Sequence, residues 1–384
     1  MNIVHVVESL AVGGLERVVL SLASWQRQRG DTGRIVCLFH EGALAAEARA
    51  QGIDVLALDK TRGLDFRALR ALRNALRSAR ADVLHTHNAV AHYYAVAATL
   101  GLGIPCVINT RHGMGAVRDS RRLDRLYRTA LLGTDVAVSV CHAGQERFVQ
   151  TGVIPSAKAA VVPNGVAMAG IEARTARAKS DLLAQFGRPA NSLVLGTVGR
   201  LSPVKDHSNL LQAMQQLRAA GRAVELFVVG DGETRSSLEA LARTLNIGEC
   251  VRFLGMRHDV AQLLPAFDVF VLSSISEGYS LALVEAAAAA LPIVATRVGG
   301  NADIVVDGAT GLLVPAQDAA ALAAAVARLD DDGALRERMG ATGRQWALRH
   351  GTVDAMGRAY LALYEDPSTE ALRRRAAAVP GSDA

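Results

Sequence analysis

The chain has 384 residues, half of them hydrophobic and 21% charged, which excludes a disordered chain and a small disulfide-stapled scaffold and leaves room for two domains. Its net charge of +5 is uneven: residues 1–165 carry 20 basic and 13 acidic side chains (+7), residues 166–384 carry 22 and 24 (−2). Of 42 basic residues only Lys60, Lys158, Lys179 and Lys205 are lysines, so a lysine inside a motif is informative.

Cys37, Cys106, Cys141 and Cys250 show no metal-ligand spacing, and reduced thiols in a reducing compartment are expected. Met1 to Glu8 has no basic start, and Glu8, Glu16 and Arg17 interrupt the apolar run, so no export signal is expected. The best membrane-span candidate, Leu281 to Val298, is broken by Glu285 and Pro292. The expectation is a cytoplasmic protein, peripheral at most on the inner face of the cell membrane.

In chain order, near-continuous apolar runs predict strands at Ile3–Val7, Arg34–Phe39, Asp54–Leu58, Asp82–Thr86, Cys106–Thr110, Asp135–Val140 and Ala159–Val162. Helical stretches separate them, as in a parallel sheet buried on both faces. Pro163-Asn164-Gly165 marks a boundary. A second series follows at Leu193–Val198, Glu225–Val229, Cys250–Phe253, Val269–Leu272, Ile293–Thr296 and Leu312–Val314. Leu335 to Tyr364 reads as helix and Ala371 to Ala384 as a fraying tail. Two doubly wound α/β domains follow.

Ligands of such sheets bind beyond the carboxyl ends of the strands. The first strand leads into Gly13-Gly14 ahead of a helix, where a ligand can approach the backbone; the GxGxxG dinucleotide pattern is absent. The fifth ends at Thr110-Arg111-His112-Gly113-Met114; His112 is either a structural histidine or a cleft residue. His85 and His87 share a strand face, but no third ligand is evident in the sequence, which argues against zinc. Gly199-Arg200-x4-Lys205 brings two cations around a proline turn, able to converge on a diphosphate. Gly230-x-Gly232 adds a tight turn.

The densest stretch runs from Ser273 to Ala286. Gly278 to Ser280 should open a helix with free amides, and Glu285, on an alanine-rich helix, needs a partner. Eight residues of helix would separate Glu277 from Glu285 by ~12 Å, too far for the ~5 Å carboxylate pair of a retaining hydrolase. The two glutamates are expected to do different jobs.

Together, Gly199-Arg200-x4-Lys205, Gly230-x-Gly232 and Glu277-x7-Glu285, with Gly13-Gly14 at the first turn, resemble the retaining GT-B glycosyltransferases of family 4 over about residues 1–365. Val6–Glu16 and Thr110–Met114 are similar to sugar transferases that accompany bacterial exopolysaccharide assembly. The resemblance implies two Rossmann-like domains facing across a cleft: an acceptor-side domain at 1–165, a nucleotide-sugar domain at 166–345, and, over 346–384, a C-terminal helix returning toward the first domain plus a tail. It implies a hexosyltransferase-type enzyme that moves sugar from a UDP- or GDP-sugar to a glycan or lipid-linked acceptor, with retention and no metal or other cofactor.

The same resemblance implies roles. Glu285 would hold the ribose hydroxyls, Arg200 and Lys205 the diphosphate, and amides near Tyr279, Ser280 and Leu281 the phosphate or sugar. Arg257 would lie by the base, Glu277 would hold sugar hydroxyls near the anomeric centre, His112 would reach the sugar from the first domain, and Gly13 and Gly14 would close over the diphosphate. Asp303 stands where the family more often has Glu and is left out of the site. No acidic metal-binding motif sits in a suitable loop; Asp330-Asp331-Asp332 lies at a helix end. The alternatives are a nucleotide-sugar epimerase on this fold and a non-catalytic nucleotide-sugar-binding protein.

Arg67, Arg70, Arg73, Arg77 and Arg80 recur at helical spacing opposite Leu69, Leu72 and Leu76, and Arg118, Arg121, Arg122, Arg125 and Arg128 form a second cluster. Either these are solvated faces or they meet an anionic membrane bearing the acceptor. No nucleic-acid reader motif appears with them, so no nucleic-acid partner is expected.

Overall fold

A computed structural model describes residues 1–114, 121–368 and 370–372, apart from the side chains of 121–123. Arg118 and Arg373-Arg374-Arg375 therefore lie outside the described residues, as do the side chains of Arg121 and Arg122. The chain divides into two compact units: Met1–Gly165 with the segment from Val353 onward, and Val166–Thr352.

The first unit holds a seven-stranded sheet made of β1 (Asn2–Val7), β2 (Thr32–Cys37), β3 (Asp54–Ala57), β4 (Val83–His87), β5 (Cys106–Arg111), β6 (Val136–Ser139) and β7 (Ala159–Val161). Every pairing is parallel, in the order β3-β2-β1-β4-β5-β6-β7. Apolar clusters line the sheet: Val4, Val6, Leu84, Leu72 and Tyr94 in one, Val7, Ile35, Leu20 and Ile53 in another. That two-sided burial is why the strands read as continuous apolar runs.

The second unit repeats the plan with β8 (Leu193–Val198), β9 (Val224–Val229), β10 (Val251–Gly255), β11 (Val269–Leu272), β12 (Ile293–Thr296) and β13 (Gly311–Val314), in the order β10-β9-β8-β11-β12-β13. In both sheets the strand order reverses once, at β1/β4 and at β8/β11. Loops leaving those strands in opposite directions open a crevice where open α/β sheets bind ligands.

The C-terminal stretch differs from the sequence expectation. Leu335 to Tyr364 is not one helix but two, Gly333–His350 and Val353–Glu365, broken where Val166 pairs with Thr352. The second of these helices belongs to the first unit and buries Met356, Tyr360, Leu363 and Tyr364 there. Ala371 and Leu372 are helical and buried, so the expected tail does not begin at Ala371.

Candidate functional site

In the second unit, β8 runs into Gly199, Arg200 and a short turn over Pro203–Lys205. Asp206 follows with φ +44, and its carboxylate caps the helix His207–Ala219 through the Asn209 N–H at 3.3 Å. The Ser273 hydroxyl, at the end of β11, donates to the carbonyls of Lys205 (3.0 Å) and Asp206 (2.9 Å). This staple fixes the lysine.

Its ammonium lies 2.6 Å from Glu277 Oε1, which also accepts the Ser274 hydroxyl at 2.5 Å. Glu277 is 9% exposed and Lys205 23%, so water screens the pair weakly. Thr296 in turn holds the Ser274 carbonyl at 2.6 Å. The hydroxyls of Ser273 and Ser274 make contacts to Lys205, Asp206 and Glu277 that the sequence reading did not single out; their signal was adjacent serines at the end of a switch-point strand.

Two glycines permit the backbone contacts beneath this pair. Gly230 has φ +135, and a Cβ there would stand 1.9 Å from the Gly199 carbonyl oxygen. Gly299 has φ +48, and a Cβ would stand 1.7 Å from the Glu277 carbonyl oxygen. Only glycine fits either place. The role of Gly230 is thus to let one loop lie against the loop that carries Arg200.

Ser280 caps the helix Leu281–Ala288 with no side-chain hydrogen bond; its carbonyl accepts from the Leu283 and Val284 N–H groups, which leaves the Leu281 and Ala282 amides without a partner among the described residues. The helix runs from Leu281 with Ser280 as its N-cap, the last residue of the expected Gly278–Ser280 opening. Glu277 and Glu285 therefore do not share a helix, and the separation reckoned from eight helical residues does not apply. Tyr279 and Ser280 are buried and Leu281 half-buried. Glu285 is half-buried one turn into the helix, and burial pushes its carboxyl up to about 7. No side-chain bond from a described residue holds it.

Arg200 is exposed. Arg257 is engaged by Asp259 at 2.7 and 2.5 Å, so any base contact would compete with that pair. Asp330 and Asp331 lie 2.8 and 2.7 Å from Arg222, and Asp332 caps the next helix through Leu335 N–H at 2.8 Å.

In the first unit, Gly13 precedes the helix Gly14–Gln28 with an extended φ of −166, a conformation open to any residue. His112 stands just past β5. Its backbone N–H donates to Asn88 Oδ1 at 3.2 Å, and Nε2 lies 3.0 Å from His87 Nδ1. Asn88 holds φ +63, a left-handed conformation Asn tolerates. Burial pushes the His112 imidazole down to about 3, so it is neutral at physiological pH. Its Nδ1 is withdrawn from water and has no partner among the described residues. The Arg111 guanidinium sits over Tyr127 and Phe148 at 4.8 and 4.7 Å, a packing role.

The third histidine that the sequence did not reveal is His5. Parallel pairing sets it beside His85 across β1 and β4, and ring nitrogens of His5, His85 and His87 lie within 4.8 Å of one another. All their ring nitrogens already have hydrogen-bond partners: Gln26, His87, Tyr364, Thr110, His5 and His112. The cluster is a hydrogen-bonded network.

Residues 12–169 match the family described as Glycosyltransferase Family 4, and residues 179–346 match Glycosyl transferases group 1. The chain is 29% identical over 280 residues to the Escherichia coli UDP-Gal:alpha-D-GlcNAc-diphosphoundecaprenol alpha-1,3-galactosyltransferase, covering 71% of this chain and 72% of that protein. It is 28% identical over 311 residues to the putative glycosyltransferase EpsF of Bacillus subtilis (strain 168), covering 76% and 78%. In fold it matches Anabaena HepE, crystallised with UDP, at TM-score 0.85 and 22% identity, over 94% of this chain and 98% of that one.

Proposed function

The chain belongs to the family 4 glycosyltransferases, with a group 1 glycosyl transferase domain as its second unit, and from that premise we propose that it moves a sugar from a UDP- or GDP-sugar to a glycan or lipid-linked acceptor, retaining anomeric configuration and needing no metal ion. A role in surface or exopolysaccharide assembly fits the motifs of its first unit. The donor class is supported by the E. coli relative, named for UDP-Gal and a diphosphoundecaprenol acceptor, and by HepE, crystallised with UDP.

The observation that carries this reading is the group at the β8/β11 switch point, where Lys205 and Ser274 share one oxygen of Glu277, four residues ahead of the helix Leu281–Ala288 and its open Leu281 and Ala282 amides. In the reaction the bond from the anomeric carbon to phosphate oxygen breaks, and a bond to the acceptor oxygen forms on the same face. The acceptor proton passes to the departing phosphate oxygen. Charge grows on the diphosphate, and Lys205, Arg200 and the Leu281 and Ala282 amides would donate to it. Glu285 would accept from the ribose hydroxyls, Arg257 would lie near the base, and Glu277 would orient the sugar.

Calorimetric titration of UDP and GDP into chelator-treated protein tests the cradle. Lys205→Ala removes a cation and leaves Glu277 unneutralised, so nucleotide affinity should fall about ten- to hundredfold. Unchanged affinity would show that the loop is misassigned.

No helix among the described residues is long and apolar enough to cross a membrane. We place acceptor access on the helix Phe66–Ser78, where Arg67, Arg70 and Arg77 are exposed beside Leu64 (69% exposed) and Phe66 (71%). Cations with apolar side chains at one helix end suit an anionic bilayer surface. The protein should co-sediment with anionic vesicles and not with neutral ones at low salt; equal recovery on both would remove this surface from the account.

A further inference from the structure

The first unit contains a line of side chains that the proposed reaction does not itself require. Gln26 lies on the buried face of the helix Gly14–Gln28 with Val19, Leu22 and Ala23. Its Nε2 donates to the Tyr364 hydroxyl at 3.2 Å, which turns its Oε1 toward His5 Nε2 at 2.8 Å. His5 Nδ1 lies 3.1 Å from His87 Nε2, and His87 Nδ1 lies 3.0 Å from His112 Nε2. Gln26, His5 and His87 are each at most 1% exposed.

Protons in such a line can be counted. Burial keeps all three imidazoles neutral, with His5 pushed down to about 4, His112 to about 3 and His87 well below its usual value. A neutral imidazole has one N–H and one bare nitrogen. Gln26 Oε1 can only accept, so His5 carries its proton on Nε2 and accepts on Nδ1. His87 must then donate from Nε2 and accept on Nδ1. His112 must donate from Nε2, which leaves Nδ1 bare. That atom is the buried nitrogen without a partner among the described residues, and an unmatched buried acceptor is expected to meet a ligand donor.

We propose that Gln26, His5 and His87 are positioning residues that fix His112 in its Nε2-protonated tautomer, so that Nδ1 is kept as an acceptor that selects a sugar hydroxyl. The site discriminates by hydrogen-bond direction. A sugar hydroxyl can donate to Nδ1; an ionised phosphate oxygen cannot. The proposal rests on the donor reading given above, but the proton order exists in the ligand-free protein.

Long-range proton–nitrogen NMR of the full chain labelled with 15N-histidine reads this order, with His112 assigned through His112→Gln. A single signal set with Nε2 protonated is expected. Nδ1 protonation, which the opposite Gln26 amide orientation would impose, or a mixture of tautomers would overturn the proposal. Gln26→Leu should yield mixed tautomers and lower kcat about tenfold with donor KM almost unchanged. Gln26→Glu, which restores an acceptor for His5, should recover both. A Gln26→Leu protein with His112 still purely Nε2-protonated would refute the wire. An ordered His112 in a protein that transfers no sugar from any donor would support the wire and count against the reaction.

Discussion

Glu277→Gln should reduce kcat about 10²- to 10³-fold, the scale of losing one group aimed at developing charge, while nucleotide affinity holds or rises. The amide keeps the shape of the carboxylate and can still accept from Ser274, but it no longer neutralises Lys205, now 2.6 Å from Glu277 Oε1. Released from that bond, the ammonium has its full charge for a diphosphate. Turnover and affinity are thus expected to separate. Steady-state kinetics with calorimetry checks this, and a parallel loss of both would mean that Glu277 only supports the loop.

Glu285→Gln should raise stability and weaken binding at the same pH. The carboxyl of Glu285 is pushed up to about 7 by burial, from an ordinary value of 4.5. Below pH 4.5 it is protonated whether the chain is folded or not, and it costs nothing. Between 4.5 and 7 the unfolded chain releases this proton while the folded protein keeps it, so stability falls as pH rises. Above 7 the cost is complete, on the order of 1–3 kcal/mol for a half-buried group. The amide should therefore raise the urea midpoint at pH 8 and leave it unchanged at pH 4. With ribose hydroxyls as partners, the variant should lose about ten- to hundredfold in UDP affinity at pH 8. The wild-type affinity should itself decline as pH drops below 7. Equal urea midpoints at pH 8, or undiminished UDP affinity, would contradict this role for Glu285.

The two sheets were legible because parallel strands covered on both faces leave continuous apolar runs, and all thirteen are found where such runs occur. Their ends were less so. β2 begins at polar Thr32, which pairs with Asn2, a hydrogen-bonding fact with no hydrophobic signature. β10 extends past Phe253 to Gly255 through a register shift, and Gly255 has φ +69. The break after His350 was hidden because both flanking helices keep a helical pattern, while the pairing of Val166 with Thr352 joins residues distant in sequence.

At the site, glycine and charge spacing located the loops, but the bonds within them were not readable. Lys205 and Glu277 were given separate tasks, yet they touch. His85 and His87 lacked a third histidine because His5 lies on β1 and meets them only through sheet register. Gln26 carried a signal that could have been used, a polar residue inside the stripe Val19, Leu22, Ala23.

The central claim is sugar transfer with retention, promoted by fixed cations and amides. The direct measurement is proton NMR of the first product formed from a nucleotide sugar and acceptor in the presence of a chelator. The account predicts a product with the donor's anomeric configuration, formed as fast with chelator as with Mg²⁺. An inverted product, or no transfer until Mg²⁺ is supplied, would contradict it.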